Sequence, residues 1–244
     1  MRRFLSASGR KGGVLGLSGG VDSAVVAKLA AMAFGKEKTC ALIMPGKSTA
    51  KTDIEHAVSF AKSLGIEYHI SDISSAIASL CAASQKTRAK IPSKKCLGNM
   101  TARARMALLY DFAGREDYLV LGTSNRSELM LGYFTKYGDG ASDVLPIGAL
   151  YKTEVYQLAR HLKIPRGIIE KPPSAGLWPD QTDEKEIGMP YERIDPILRE
   201  LAETAENGKP MKMTIVARRI AEMISSSRHK RHSPPILEPF SPQA

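Results

Sequence analysis

Val14-Leu15-Gly16-Leu17-Ser18-Gly19-Gly20-Val21-Asp22-Ser23 runs from apolar residues into a turn of small ones, and an alanine-rich segment, Ala24-Val25-Val26-Ala27-Lys28-Leu29-Ala30-Ala31, follows at once. The pattern predicts a strand, an anion-binding loop and a helix. Glycines let backbone N–H groups approach an anion unhindered, and a helix N-terminus adds a favourable dipole, so the turn suits a phosphate or pyrophosphate. Two common phosphate motifs do not fit. A P-loop needs Lys immediately before Ser23, where Asp22 stands, and Gly16, Gly19 and Gly20 do not match the spacing of G-x-G-x-x-G.

The remaining pattern, S-G-G-x-D-S, resembles the pyrophosphate loop of the ATP pyrophosphatase family, whose members split ATP between its α- and β-phosphates. A carboxylate such as Asp22 beside phosphates calls for a cation between them, so Mg²⁺ is implied.

The 244 residues, 43% apolar and 25% charged, describe a globular protein long enough to bury a full core. No apolar run reaches the roughly 18 residues of a membrane span. Met1-Arg2-Arg3-Phe4-Leu5 leads into Ser, Gly and Lys rather than an apolar signal segment, which points to the cytoplasm. Cys40, Cys81 and Cys96 form no C-x-x-C pair and have no spaced His partners, so neither a zinc site nor a disulfide framework is expected. The net charge of +10 admits either nucleic acid or a highly phosphorylated substrate pair. Its one cluster, Arg228-His229-Lys230-Arg231-His232, has few aromatics near it to stack bases.

Along the chain, apolar runs at Thr39–Met44, Ile66–Ile70 and Tyr118–Gly122 predict further buried strands. Thr52-Asp53-Ile54-Glu55 reads as a capping box, opening a helix with Ile54, Ala57, Val58, Ala61 and Leu64 on one face. More helices are predicted over Leu97–Phe112, 153–162, Ile194–Ala205 and Met213–Ile224. The alternation predicts an α/β fold, a doubly wound parallel sheet flanked by helices, with ligands at the C-terminal ends of the strands. Residues 84–96 are polar and basic, and read as a mobile segment over substrate or a solvated loop. Arg103 and Arg105 point about 200° apart on their helix, so one faces the site and the other faces away. Residues 132–143, with three glycines, two carboxylates and a lysine, read as part of an active site rather than a surface loop.

The motifs G-T-S-N-R-S-E-L, L-G-Y-F-T-K-Y-G-D-G, P-I-G-A-L-Y-K-T-E-V, P-P-S-A-G-L-W and D-Q-T-D-E resemble, in order, those of the NAD synthetase family of ammonia-dependent type. The resemblance runs from Gly16 to about Ile197 and continues to Arg228-His229-Lys230. It implies a Rossmann-like fold of ATP pyrophosphatase type and one domain over 1–244, with a proline-rich tail from about 233. It also implies the reaction in which ATP adenylates the nicotinate carboxylate of deamido-NAD, pyrophosphate leaves, and ammonia displaces AMP. Carried over residue by residue, it places Gly16, Leu17, Ser18, Gly19, Gly20, Val21, Asp22, Ser23, Thr123, Lys152 and Ser174 at ATP. Asp22 and Glu128 would bind Mg²⁺. Arg103, Lys136, Asp143, His229 and Lys230 would bind deamido-NAD, and Asp139, Asp143 and Lys152 would serve the chemistry. The loop from Pro172 to Gln181 would close over ATP.

The same resemblance implies a homodimer, no nucleic-acid or membrane partner, and free ammonia as nitrogen source, since the chain carries no nitrilase-type Cys-Glu-Lys domain. Two alternatives stay open. One is another ATP pyrophosphatase, such as a tRNA-modifying enzyme; the other is a basic nucleic-acid-binding protein, which would leave Asp22 and Glu128 without a purpose.

Overall fold

The structure is a computed structural model describing residues 1–87, 92–174, 176–178, 181–208 and 213–237. Strand β1 (Gly12–Gly16) is buried except at its last residue, as a run without polar side chains requires. It pairs in parallel with β2 (Thr39–Ile43) on one side and β4 (Tyr118–Val120) on the other, and β3 (Glu67–Ile70) lies outside β2. The order β3-β2-β1-β4 reverses direction between β1 and β4. That switch point opens a crevice at the strands' C-terminal ends, where α/β ligands bind.

The helices, in chain order, are α1 (Arg2–Ser8), α2 (Val21–Phe34), α3 (Lys51–Leu64), α4 (Ser74–Thr87), α5 (Lys94–Glu116), α6 (Arg126–Leu131), α7 (Lys152–His161), α8 (Arg166–Ile169), α9 (Asp183–Ile187), α10 (Tyr191–Asn207) and α11 (Ile215–Ser226). Alternate strand residues feed opposite faces. Leu15, Ala41 and Ile43 pack with Ala24 and Val25 of α2, Phe60 of α3 and Val155 of α7. Val14, Cys40 and Leu42 face the other way, against Leu108, Leu109 and Ala113 of α5. The sheet is therefore covered on both faces, as the alternation predicts. A third core gathers Leu131, Tyr151, Tyr191, Ile194, Leu198 and Ile220 from α6, α10, α11 and the start of α7. Each such buried side chain contributes about 1.5–3 kcal/mol relative to exposure.

Several local expectations are corrected. Helix α3 starts at Lys51 behind Ala50, which makes no side-chain cap bond, so Thr52 is not its cap. Asp53, in the first turn of this helix, pairs with Lys171, 2.5 Å away. Helix α4 has no counterpart in the sequence reading. With α5 starting at Lys94, residues 84–87 and 94–96 are helical rather than loop, and 88–91 lie outside the described residues. Helix α10 starts at Tyr191, behind Pro190, so Pro196 lies past its first turn and removes one ladder bond. No helix among the described residues is long and apolar enough to cross a membrane.

Candidate active site

The S-G-G-x-D-S turn sits at the C-terminal end of β1 and is closed by its own serines. Ser23 Oγ donates to the Gly20 carbonyl at 3.0 Å and accepts from the Ser18 N–H at 3.2 Å, while the Gly20 N–H donates to Ser18 Oγ at 3.3 Å. Gly19 has φ +79°, and a Cβ there would stand 2.4 Å from the Asp53 carbonyl oxygen. Left-handed backbone and close approach together require glycine. Gly19→Ala should cost about 1–3 kcal/mol of stability and distort the loop, seen as a lower Tm and a raised KM for ATP. An unchanged KM would show the loop to be uninvolved.

Beyond the loop opens a cleft of about 980 Å³. On its floor Lys152 is 1% exposed, although lysine is rarely buried without a partner. Its Nζ lies 2.5 Å from Asp22 Oδ2 and 3.3 Å from Glu128 Oε1. Helix starts aim these groups. Asp22 stands in the first turn of α2, with Oδ1 accepting from Asn125 Nδ2 at 2.9 Å. Asn125 and Glu128 form a reciprocal capping box that opens α6. Lys152 opens α7, where its N–H donates to Ser127 Oγ and the next residue, Thr153, donates to buried Asp195.

Asp183 completes the group. It is 3% exposed, its Oδ1 has no hydrogen-bond partner, and Tyr191 donates to its Oδ2 at 3.4 Å. Burial alone would lower the Lys152 ammonium, but Asp22 and Glu128 outweigh it and hold the lysine protonated. Burial raises the Glu128 carboxyl despite the pull of Lys152, and Asp22 and Asp183 push the same way. One ammonium among three carboxylates leaves the group short of positive charge, so both shifts favour retaining protons.

The opposite wall is one face of α5. Asn99, Ala102, Arg105, Met106 and Leu109 line the cleft at helical spacing. Arg105 donates from Nε to the Met44 carbonyl at 3.1 Å. The 132–143 loop forms the rim: Thr135 bonds Asn99 at 2.8 Å, and Asp139 Oδ1 accepts from the Thr135 N–H at 2.9 Å. Asp139 is open to the cleft, yet burial by surrounding protein raises its carboxyl against the Thr135 hydrogen bonds and the Lys230 charge.

A buried lysine–carboxylate cluster beside a pyrophosphate-type loop, in a cleft of this size, is the arrangement that comparison with known proteins then places. The NAD synthase family model matches residues 1–234. The chain belongs to the NAD synthase family. An NH(3)-dependent NAD(+) synthetase from Archaeoglobus fulgidus is 50% identical over 237 residues, which cover 97% of this chain and 92% of that protein. Among solved structures, an NMN synthetase from Francisella tularensis superposes with a TM-score of 0.85 at 37% identity, covering 98% of this chain and 94% of that one. An NH3-dependent NAD synthetase from Campylobacter jejuni gives 0.80 at 36%, covering 97% and 94%.

Of the residues the NAD synthase resemblance singled out, the cleft brings together Gly16, Leu17, Ser18, Gly20, Val21, Asp22, Ser23, Thr123, Glu128, Asp139, Lys152, Ser174, His229 and Lys230. Gly19 shapes the loop from behind. Arg103, Lys136 and Asp143 stand outside the lining. Arg103 is exposed and donates to the Lys136 carbonyl at 3.3 Å, so Arg105 is the member of the pair that faces the cleft. Asp143 finishes the sheet edge: its Oδ2 accepts from the Val120 N–H at 2.7 Å, and its own N–H donates to the Val120 carbonyl at 2.9 Å.

The basic run separates into distinct jobs. Arg231 donates to the carbonyls of Leu129 and Met130 at the end of α6. Lys230 donates to those of Gly132 and Phe134 at 2.7 and 2.8 Å. His229 is exposed at the cleft, with Nδ1 3.2 Å from the Ser226 carbonyl. Lining residues missed from sequence include Arg105, Asp53, Lys171 and Asp183. The α5 periodicity held the signal for Arg105; Asp53 and Lys171 meet across more than 100 residues, which no local pattern reveals. Of the 172–181 loop, the described residues 172–174 and 176–178 lie along the cleft, and Leu177 accepts from Ser48 Oγ at 3.2 Å. The proline tail is described only to residue 237; Pro239 and Pro242 lie outside the described residues.

Proposed function

We propose that this cleft makes NAD: ATP adenylates the nicotinate carboxylate of deamido-NAD, pyrophosphate leaves, and ammonia attacks the activated carbonyl and expels AMP. The observation that carries the reading is the buried Lys152–Asp22–Glu128 cluster beside the anion loop, in a member of the NAD synthase family. A carboxylate resists ammonia until a good leaving group is attached, and the adenylate is that group. No side-chain nucleophile is required, so catalysis rests on positioning and charge stabilisation. The loop amides and the α2 N-terminus bind the phosphates, and Lys152 offsets charge on the transferring phosphoryl group. Asp139, its carboxyl raised by burial, accepts a proton as the nitrogen attacks.

Asp22 and Glu128 would hold Mg²⁺, and the unpartnered Oδ1 of Asp183 fits the same all-oxygen donor set. When bound, the ion neutralises charge on the departing pyrophosphate. Arg103, Lys136 and Asp143 meet the dinucleotide where a second copy packs, and the protein works as a cytoplasmic homodimer with the whole chain as one catalytic domain.

Nitrogen source tests the type of enzyme. With MgATP and deamido-NAD, ammonium should support NAD formation and glutamine alone should not; efficient glutamine use by the purified chain would overturn the ammonia-dependent assignment. The likeness to an NMN synthetase makes the mononucleotide the competing acceptor, and the same assay with deamido-NMN separates the two. His229→Ala should raise the KM for deamido-NAD by about 10- to 100-fold, one charge-assisted contact, with the KM for ATP within a few-fold. An unaltered KM would return His229 to a solvated surface role. Lys230→Ala should affect both substrates, because it also frees the rim carbonyls of Gly132 and Phe134.

A further inference from the structure

We propose that Cys40, Glu67 and His69 form a binding site for a divalent cation of the zinc class, on the sheet edge outside the catalytic cleft. Parallel register sets Cys40 of β2 beside Glu67 of β3, and Leu42 beside His69. Residues two apart on a strand share a face, and parallel neighbours keep it, so all three side chains leave the α5 face of the sheet. Their ligand atoms lie within 4.8 Å of one another. None of the three lines the cleft.

The donors suit the ion. Thiolate sulfur, imidazole nitrogen and carboxylate oxygen are the zinc-binding set, at about 2.0–2.3 Å from the metal. His69 Nε2 and Glu67 Oε1 stand 2.8 Å apart, and with side chains 51% and 57% exposed they can part around an ion. Cys40, by contrast, is fixed in the core, and the Phe112 ring packs against His69 with centroids 5.6 Å apart. Three protein ligands leave a fourth position on the solvent side for water. Burial, then the carboxylates of Glu67 and Glu116, push the Cys40 thiol up to about 12. A cation among these groups reverses that balance, taking the thiolate and releasing its proton. The benefit falls on β3, a short and mostly exposed edge strand, which the ion would pin to β2. Sequence reading could not find the site, because Cys40 and Glu67 meet only through the β2–α3–β3 crossover.

Cobalt(II) reports thiolate ligation directly. The metal-stripped full chain, titrated with Co²⁺, should take up one equivalent with thiolate-to-cobalt charge-transfer absorption in the near ultraviolet, displaced by Zn²⁺ but not by Mg²⁺. Cys40→Ser should abolish the band, and the Cys81→Ser/Cys96→Ser double variant should keep it. His69→Ala, at an exposed position that leaves the fold intact, should weaken Co²⁺ binding at least about tenfold. Zn²⁺ at a hundredfold excess over its Kd should raise the wild-type Tm by roughly 5–10 °C, and at the same Zn²⁺ concentration the rise should fall to about half or less in His69→Ala. No band in the wild type, a band surviving Cys40→Ser, or binding indifferent to His69→Ala would overturn the site.

Discussion

Lys152→Met is expected to lose at least about 10²–10³-fold in the rate of pyrophosphate release and to melt roughly 6–20 °C lower. Both losses have one origin. The ammonium lies 2.5 and 3.3 Å from two carboxylates, and Asp183 adds to the same field. Removing one member of a buried charge pair costs about 3–5 kcal/mol, because the partners are left uncompensated. The rate falls separately, since the buried positive charge beside the anion loop is then missing from the transferring phosphoryl group. Single-turnover release measured well below the lowered Tm keeps the two apart. Near-normal release from folded Lys152→Met would remove this lysine from the chemistry.

Asp22→Asn should behave differently, losing about 10²–10³-fold in rate with little loss of stability. The amide keeps an oxygen for Asn125, and Lys152 retains Glu128, so the fold gives up one partner of an ammonium that has two. What disappears is the carboxylate facing the triphosphate. A Tm within a few degrees of wild type, together with loss of turnover at any Mg²⁺ concentration, is the expected pairing. Full turnover at ordinary Mg²⁺ would remove Asp22 from metal binding.

These two residues also mark what was legible in the sequence. Asp22 belongs to a local strand–loop–helix pattern, in which an apolar run placed β1 and an alanine-rich segment placed α2, and the alternation of strands with helices placed the doubly wound sheet. Glu128 was reached only through the resemblance, although the Asn125–Glu128 capping box that positions it is local. Lys152 could be picked out only through its motif, since Asp22 lies 130 residues away and burial of the pair depends on α7 docking against α2. That Arg105 rather than Arg103 lines the cleft was not legible for a simpler reason. The helical angle separated the two without saying which face met the sheet, and only the packing of Ala102 and Leu109 decides it. Thr52 was misplaced because Thr52 and Glu55 match the local pattern of a capping box, whereas the helix starts at Lys51, behind Ala50. Helix α4 was missed because its run of Ser and Ala carries little apolar periodicity.

Product stoichiometry tests the central claim most directly. The purified chain, incubated with deamido-NAD, MgATP and ammonium and resolved by chromatography, should yield NAD, AMP and pyrophosphate in equal amounts, with each product dependent on all three substrates. ADP and phosphate in place of AMP and pyrophosphate, or AMP released with no NAD formed, would contradict it.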